Sequence, residues 1–201
     1  MFYRVLVVDP PWMFGDPLKR MKKKTKRSAE SNYATMSLDE IKSLDVASVA
    51  DPSGCVLALW VPSSMLIDGI EVAHSWGFVP KQTFVWVKTK KHHREESDWN
   101  NGTRVGMGRL FRTAHEIALV CVSGKKLYSV LKNKSQRSVC FAANQRHSAK
   151  PDLLQDRLDT MFPDEPKLEL FARRQRVGWT CTGLELDGKD VKEALDELVS
   201  L

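Results

Sequence analysis

The chain has 201 residues, with 31 Lys+Arg against 25 Asp+Glu and a formal charge of +6. A hydrophobic fraction of 42% and a charged fraction of 28% match a globular protein and argue against disorder, collagen or a disulfide scaffold. No apolar run approaches the roughly 20 residues of a membrane span, Met1–Asp9 lacks the basic start and cleavage site of a signal peptide, and Cys55, Cys121, Cys140 and Cys181 show no CxxC spacing. One domain over residues 1–201, in an intracellular reducing compartment, is expected.

The first element is Tyr3–Val8, a near-continuous β-branched and apolar run that stops at Asp9-Pro10-Pro11-Trp12. Such a run predicts a strand buried on both faces. The two prolines end it, since neither can donate to a ladder. Residues 13–36 read as a long loop. Inside it Lys19, Arg20, Lys22, Lys23, Lys24, Lys26 and Arg27 hold the whole charge excess: without them the balance falls from +6 to −1. A block of like charge repels itself until it meets a polyanion; a solvated loop or a localisation signal is the plainer alternative.

Ser37-Leu38-Asp39-Glu40 opens a helix with a capping box. Gly54–Val61 is a second buried strand, Ser63–Trp76 a helix closed by Gly77, and Gln82–Lys88 a third strand. Residues 89–115 form a polar, basic, Gly-rich stretch without periodicity, and loops that long are usually functional or disordered. His115–Val122 is a fourth strand, with a shorter one near Ser138–Ala142. Pro151–Phe162 is helical, Lys167–Phe171 is a strand, and residues 190–201 form an amphipathic helix that covers the core or pairs with another chain.

Strand–helix alternation without repeats predicts an α/β fold with a mostly parallel sheet and helices on both faces. Ligands in such sheets sit beyond the carboxyl ends of strands. Asp9–Trp12, the stretch after Lys88 and Arg173–Arg176 all follow strand ends, so they should gather on one edge.

A carboxylate at a strand end, a rigid Pro-Pro whose carbonyls have no amide on the following nitrogen, and a flat aromatic suit a planar amine. The carboxylate accepts one N–H, a proline carbonyl the other, and Trp12 stacks on the ring. The exocyclic nitrogen of adenine is a poor nucleophile because its lone pair is delocalised. Binding both its protons to fixed acceptors raises electron density on nitrogen and aims it. The bland reading is a strand ending in a turn with a buried Trp. His92, His93 and His115 have no Cys or carboxylate at metal-ligand spacing, so no metal is expected.

Together with Tyr33–Ser37, Leu59-Trp60-Val61, Trp86–Thr89, His115-Glu116, Lys150-Pro151-Asp152, Lys167–Arg173 and Gly178-Trp179, Asp9–Trp12 makes the chain resemble the adenine-N6 methyltransferases that include the messenger-RNA writers and bacterial and phage DNA-adenine enzymes. The resemblance runs from about Val5 to Gly188. It implies a Rossmann-like methyltransferase fold with permuted order, the catalytic strand first and the S-adenosylmethionine (SAM) strand last. It also implies methyl transfer from SAM to the adenine N6 amine of DNA. The same reaction on RNA, or a catalytically silent nucleic-acid-binding subunit, are the alternatives.

On the resemblance, Asp9 and Pro10 bind the amine, Pro11 and Trp12 shape the base pocket, and Tyr33 closes over the base. Lys150, Glu169, Phe171, Arg173 and, less closely matched, Arg176 contact SAM. Lys22, Lys23 and Lys24 of the basic loop, with Lys88, Arg109 and Arg112 of a second rim, would meet phosphates. Two departures stand out: Arg174-Gln175-Arg176 replaces a His-Asn pair, and Leu184-Glu185 replaces Asn-Gln, where Glu185 could accept from the SAM adenine. The lack of an upstream extension and of zinc fingers leads to the expectation of a compact prokaryotic or phage-type enzyme in the bacterial or infected-cell cytoplasm. It would work without a membrane, as a monomer, homodimer or heterodimer.

Overall fold

The computed structural model describes residues 1–14, 35–90, 102–106, 110–143 and 149–200. Among the described residues seven strands form one sheet: β1 (Val5–Val8), β2 (Gly54–Val61), β3 (Val79–Thr89), β4 (His115–Gly124), β5 (Val139–Ala143), β6 (Lys167–Leu170) and β7 (Thr180–Thr182), in the spatial order β5-β3-β4-β2-β1-β6-β7. Parallel pairs join β1 to β2 and β6, β3 to β5, and β6 to β7, while β4 is antiparallel to both neighbours. The carboxyl ends of six strands and the amino end of β4 therefore lie along one edge.

Period-two alternation divides each central strand between two cores. Leu6 and Val8 of β1 join Leu57, Leu59, Leu168 and Leu170 on one face, under helices α1 (Leu38–Lys42), α2 (Leu66–Ser75) and α5 (Val191–Ser200). Val5 and Val7 join Val56, Ala58, Trp60, Phe84 and Trp86 on the other, under α3 (Leu127–Val130) and α4 (Leu153–Met161). With both faces covered, β1 needs apolar residues at every position, as its sequence has. The α5 stripe Val191, Ala194, Leu195 and Leu198 is buried on the first core, so it serves the fold.

Capping sets the start of α1: Ser37 Oγ accepts from the Glu40 amide at 3.3 Å, and the Ser37 amide donates to Glu40 Oε2 at 2.7 Å. The Trp76 indole N–H donates to the Ile41 carbonyl at 3.1 Å and ties α2 to α1. The third strand begins at Val79, three residues before the expected Gln82, and its pairing with β4 shifts between Pro80 and Gln82. Pro80 lacks the amide that a regular ladder would use there. The Ser63–Trp76 helix resolves into a 3₁₀ turn at Ser63–Met65 followed by α2. The elements α3 and β7 are too short to show a period in sequence. All four cysteines are free thiols.

Helix α2 approaches β2 through Gly69, where an added Cβ would lie 2.6 Å from Val61 Cγ2. Alanine favours a helix over glycine by about 1 kcal/mol, yet overpacking typically costs about 1–3 kcal/mol. Gly69→Ala should therefore lower unfolding stability in urea. Adding Val61→Ala should lose less than the sum of the single changes, a favourable coupling in a double-mutant cycle.

Candidate active site at the carboxyl edge of the sheet

Immediately after the buried β1, the chain turns at Pro10, whose carbonyl accepts the Trp12 amide at 2.9 Å. The Pro11 carbonyl accepts the Met36 amide at 2.8 Å, and the Met13 amide donates to the Met36 carbonyl at 3.0 Å. Both proline carbonyls thus have amide partners, contrary to the simplest reading of Pro-Pro; each keeps a second lone pair for a ligand. Trp12 is 5% exposed and packs in the first core, with its indole N–H donating to the Trp60 carbonyl at 2.9 Å. In this arrangement it anchors the Pro10-Pro11 turn to β2.

Asp9 is one end of a chain of charges. Lys150 Nζ lies 2.8 and 2.7 Å from the two Asp9 carboxylate oxygens and 3.3 Å from Glu116 Oε2. Lys88 Nζ holds the other Glu116 oxygen at 2.5 Å. The Lys150 ammonium sits 5.4 Å from the centre of the Trp60 ring and that of Lys88 5.2 Å from Trp86, both at cation–π range. Burial alone would push the Lys150 ammonium down, but the charges of Asp9 and Glu116 and their hydrogen bonds outweigh it and hold its pKa above the ordinary value. Burial likewise pushes Glu116 up, and the opposing Lys150 and Lys88 hold it below the usual carboxylate range.

A second carboxylate, Glu169, pairs in register with Val7 of β1 and Cys181 of β7. Burial raises its pKa; hydrogen bonding from Gln155 offsets part of this, and the negative Asp9 adds to the rise. Gln155 is 5% exposed, and its Oε1 lacks a partner among the described residues. Phe171, after β6, holds a left-handed φ of 60°, unusual for a bulky residue and a form of strain that clusters at functional sites. Beside it Gly183 allows close approach, since a Cβ there would meet the Ala172 carbonyl oxygen at 2.4 Å.

The three arginines after β6 are engaged, Arg174 with Asp152. Arg173 lies 3.6 Å from Glu185. Arg176 grips Asp156 at 2.6 Å and Asp159 at 2.8 Å on α4, and its guanidinium stands 5.9 Å from the Trp179 ring centre. Together with Asp152, Arg174 and Gln175 it lines an open depression of about 340 Å³. Its visible role is to fix the β6–β7 connection on α4. Arg112 is exposed next to exposed Leu110 and Phe111, and Lys88 serves Glu116. Tyr33, Lys22, Lys23, Lys24 and Arg109 lie outside the described residues.

Asp9, Lys150, Glu169 and Lys88 thus come together, and Glu116 joins them as a residue to which sequence reasoning assigns no role. A search beyond carboxyl ends of strands passes over it, because it enters β4 at the amino end. Only the antiparallel direction of β4 brings it to this edge. The cue in sequence is His115-Glu116 opening an apolar strand. As chemistry, the arrangement offers an acceptor fixed at a strand end, an ammonium able to receive a carboxylate, and a half-buried carboxylate able to receive hydroxyl or amine protons. That set fits SAM, whose amino-acid end carries a carboxylate and whose ribose carries a diol. Among the described residues, no group of His, Cys, Asp or Glu is arranged to hold a metal ion, and no helix is long and apolar enough to cross a membrane.

The mostly parallel sheet, with its acidic strand end first and the Glu169 strand beside it near the end of the chain, defines a Rossmann-like methyltransferase fold; the Glu169 strand is not the last, since the short β7 follows it at the sheet edge. The chain belongs to the MT-A70 family of N6-adenine methyltransferases, whose model matches residues 3–185. It is similar to the type II methyltransferase M.MunI of a Mycoplasma, 30% identical over 94% of this chain and 80% of that protein. It is also similar to an MT-A70-like N6-adenosine methyltransferase of Arabidopsis thaliana, 27% identical over 92% of this chain and 24% of that protein. The human catalytic subunit METTL3 aligns at 27% identity over 92% of this chain and 28% of its own length. The chain therefore spans most of the Mycoplasma protein but only about a quarter of the eukaryotic ones.

Two substitutions probe this geometry. Glu169 titrates above its ordinary 4.5 when folded, so its ionised form opposes folding at neutral pH. That penalty fades as pH falls through the folded pKa towards the unfolded value. Glu169→Gln should therefore raise Tm at pH 7, with the gain vanishing in acid, while weakening SAM binding in calorimetry. Trp12→Phe leaves the buried Trp60 carbonyl without its indole donor and should cost about 1–3 kcal/mol in urea unfolding.

Proposed function

We propose that this chain transfers a methyl group from SAM to the exocyclic N6 amine of adenine in nucleic acid, with DNA as the polymer. The observation that carries the reading is Asp9: a carboxylate fixed at the end of the central strand, one turn from two rigid proline carbonyls, beside Lys150 and Glu169. DNA is favoured over RNA because the chain aligns across most of the Mycoplasma type II methyltransferase. The eukaryotic relatives, of which it spans a small part, are named for adenosine, the ribonucleoside.

In this reading Asp9 accepts a hydrogen bond from one N–H of the amine and the Pro10 carbonyl accepts one from the other through its free lone pair. Asp9 thereby raises the electron density on nitrogen and offsets the positive charge that grows there. Pro11 shapes the base pocket, and Trp12 holds the turn rigid through Trp60. Tyr33 closes over the base. Lys150 receives the SAM carboxylate, Glu169 the ribose hydroxyls, and Phe171 and Arg173 line the nucleoside. SAM itself supplies an electrophilic methyl on its sulfonium: the S–C bond breaks as the N–C bond forms, S-adenosylhomocysteine leaves, and the methylated amine gives up one proton to Asp9 or water, so no metal or covalent intermediate is needed. For a duplex, taking the adenine out of the stack costs a few kcal/mol; contacts of Lys22, Lys23, Lys24, Arg109 and Arg112 with flanking phosphates help to offset it, while Lys88 stays on Glu116.

One observation supports a second reading, a catalytically silent nucleic-acid-binding subunit: Arg176 is committed to α4 and Arg173 faces Glu185, which leaves fewer groups for SAM. Tritium transfer from labelled SAM to matched DNA and RNA oligonucleotides, single- and double-stranded, separates the two. Label in DNA, reduced about 10²–10³-fold by Asp9→Ala, is the expected result. Label in RNA alone would overturn the choice of polymer. Absence of label in all four, with nucleic-acid binding retained and no heat from SAM, would install the silent subunit. Replacing Lys22, Lys23 and Lys24 by alanine should flatten the salt dependence of binding by about 0.9 for each phosphate no longer neutralised, with SAM affinity unchanged.

A further inference from the structure

Asp9 and Lys150 are asked to do two things each. Asp9 must accept from the adenine amine, yet both its oxygens lie within 2.8 Å of the Lys150 ammonium. Lys150 must donate to the SAM carboxylate, yet its ammonium already bonds both Asp9 oxygens and lies 3.3 Å from Glu116 Oε2, which engages the three donors it has. Charge-assisted hydrogen bonds are roughly twice as strong as neutral ones. A neutral aromatic amine therefore cannot displace the ammonium from Asp9 by itself, whereas a carboxylate competes for it on equal terms.

The surroundings give Lys150 somewhere to pivot. Glu116 is held on its other oxygen by Lys88 at 2.5 Å, so it stays in place when Lys150 swings. The Trp60 ring beneath the ammonium keeps it in a favourable field along the way. Glu169, a further acidic neighbour of Asp9, repels it and so disfavours an Asp9 stripped of its cation with nothing in return.

We propose that Lys150 couples the two substrate sites of this chain: it holds Asp9 until the SAM carboxylate takes it, so SAM binds first and the adenine amine second. The inference rests on the reading of Lys150 as the SAM-carboxylate group and Asp9 as the amine acceptor. Its consequence is thermodynamic. SAM, or its product S-adenosylhomocysteine, should raise the affinity for adenine in nucleic acid, and only through the amino-acid end of the molecule. The coupling is reciprocal, so bound adenine should tighten S-adenosylhomocysteine by the same factor.

The probe is a fluorescein-labelled oligoadenylate, prepared as DNA and as RNA, and titrated by anisotropy with the wild-type protein. A matched oligomer carries purine, which lacks the 6-amino group, in place of adenine. Saturating S-adenosylhomocysteine should tighten oligoadenylate binding by a factor in the typical range of about 5–150 and leave the purine oligomer unmoved. Methylthioadenosine, which keeps the nucleoside but lacks the carboxylate, should have no such effect. Lys150→Met should bind oligoadenylate more tightly than wild type without any nucleoside present, despite losing a positive charge, and should no longer respond to S-adenosylhomocysteine. Lys150→Gln, which preserves a polar tip, should behave likewise if folding is intact by circular dichroism.

Calorimetric heat from S-adenosylhomocysteine with unmoved oligoadenylate affinity would overturn the coupling while the methyltransferase reading stands. So would an equal effect from methylthioadenosine, or weaker basal binding by both Lys150 variants. No heat from S-adenosylhomocysteine with the wild-type protein would instead overturn the methyltransferase reading, and the coupling with it.

Discussion

A carboxylate that follows a strand with no accessible surface has to be neutralised by something the rest of the chain delivers. Val5–Val8 are at most 1% exposed, and Asp9 comes next. Its counter-charge arrives from the start of α4 as Lys150, which is balanced by Glu116 of β4, which is balanced by Lys88 of β3. One charge thus fixes the relative placement of three strands and a helix start. Removing one partner of a fully buried pair costs about 3–5 kcal/mol. Here 18–29% of the three side chains Lys150, Asp9 and Glu116 is exposed, so water screens part of that cost. The chain of charges is strong enough to set geometry and soft enough to be rearranged by a ligand of comparable charge.

The central strand and its chemistry are legible in sequence for a simple reason: an apolar run without alternation has only one comfortable location in an α/β fold, and Asp-Pro-Pro-Trp terminates it visibly. The α5 stripe is legible for the same reason of period. Glu116 is hidden because strand direction is not a local property; its residue sits at the wrong end of β4 until the antiparallel pairing reverses it. Arg176 misleads in the opposite sense. Its position after the Glu169 strand suggests a ligand, but the carboxylates of Asp156 and Asp159, one helical turn apart on α4, make a receptor for its guanidinium inside the protein. The sequence draws attention to the ring of Trp12, and the structure uses its N–H.

The distribution of charge separates two tasks. The sheet edge gathers carboxylates and lysines in nearly balanced numbers, which suits fixed, directional contacts to a small molecule. The sequence concentrates its excess of positive charge at Lys19–Arg27, and attraction to a polyanion requires no fixed geometry. On the proposed function, affinity for a polymer and chemistry on one base can then be altered separately.

The contacts of Pro11 and Met13 with Met36 fasten the turn that carries Asp9. Two backbone hydrogen bonds join them, and the Trp12 indole between them is bonded to the Trp60 carbonyl. The turn is thus buckled at two places, once through backbone and once through a side chain. Backbone bonds hold whatever side chain is attached, so Met13 and Met36 can be exchanged for most residues without unfastening the turn, whereas the buckle at Trp12 depends on its indole.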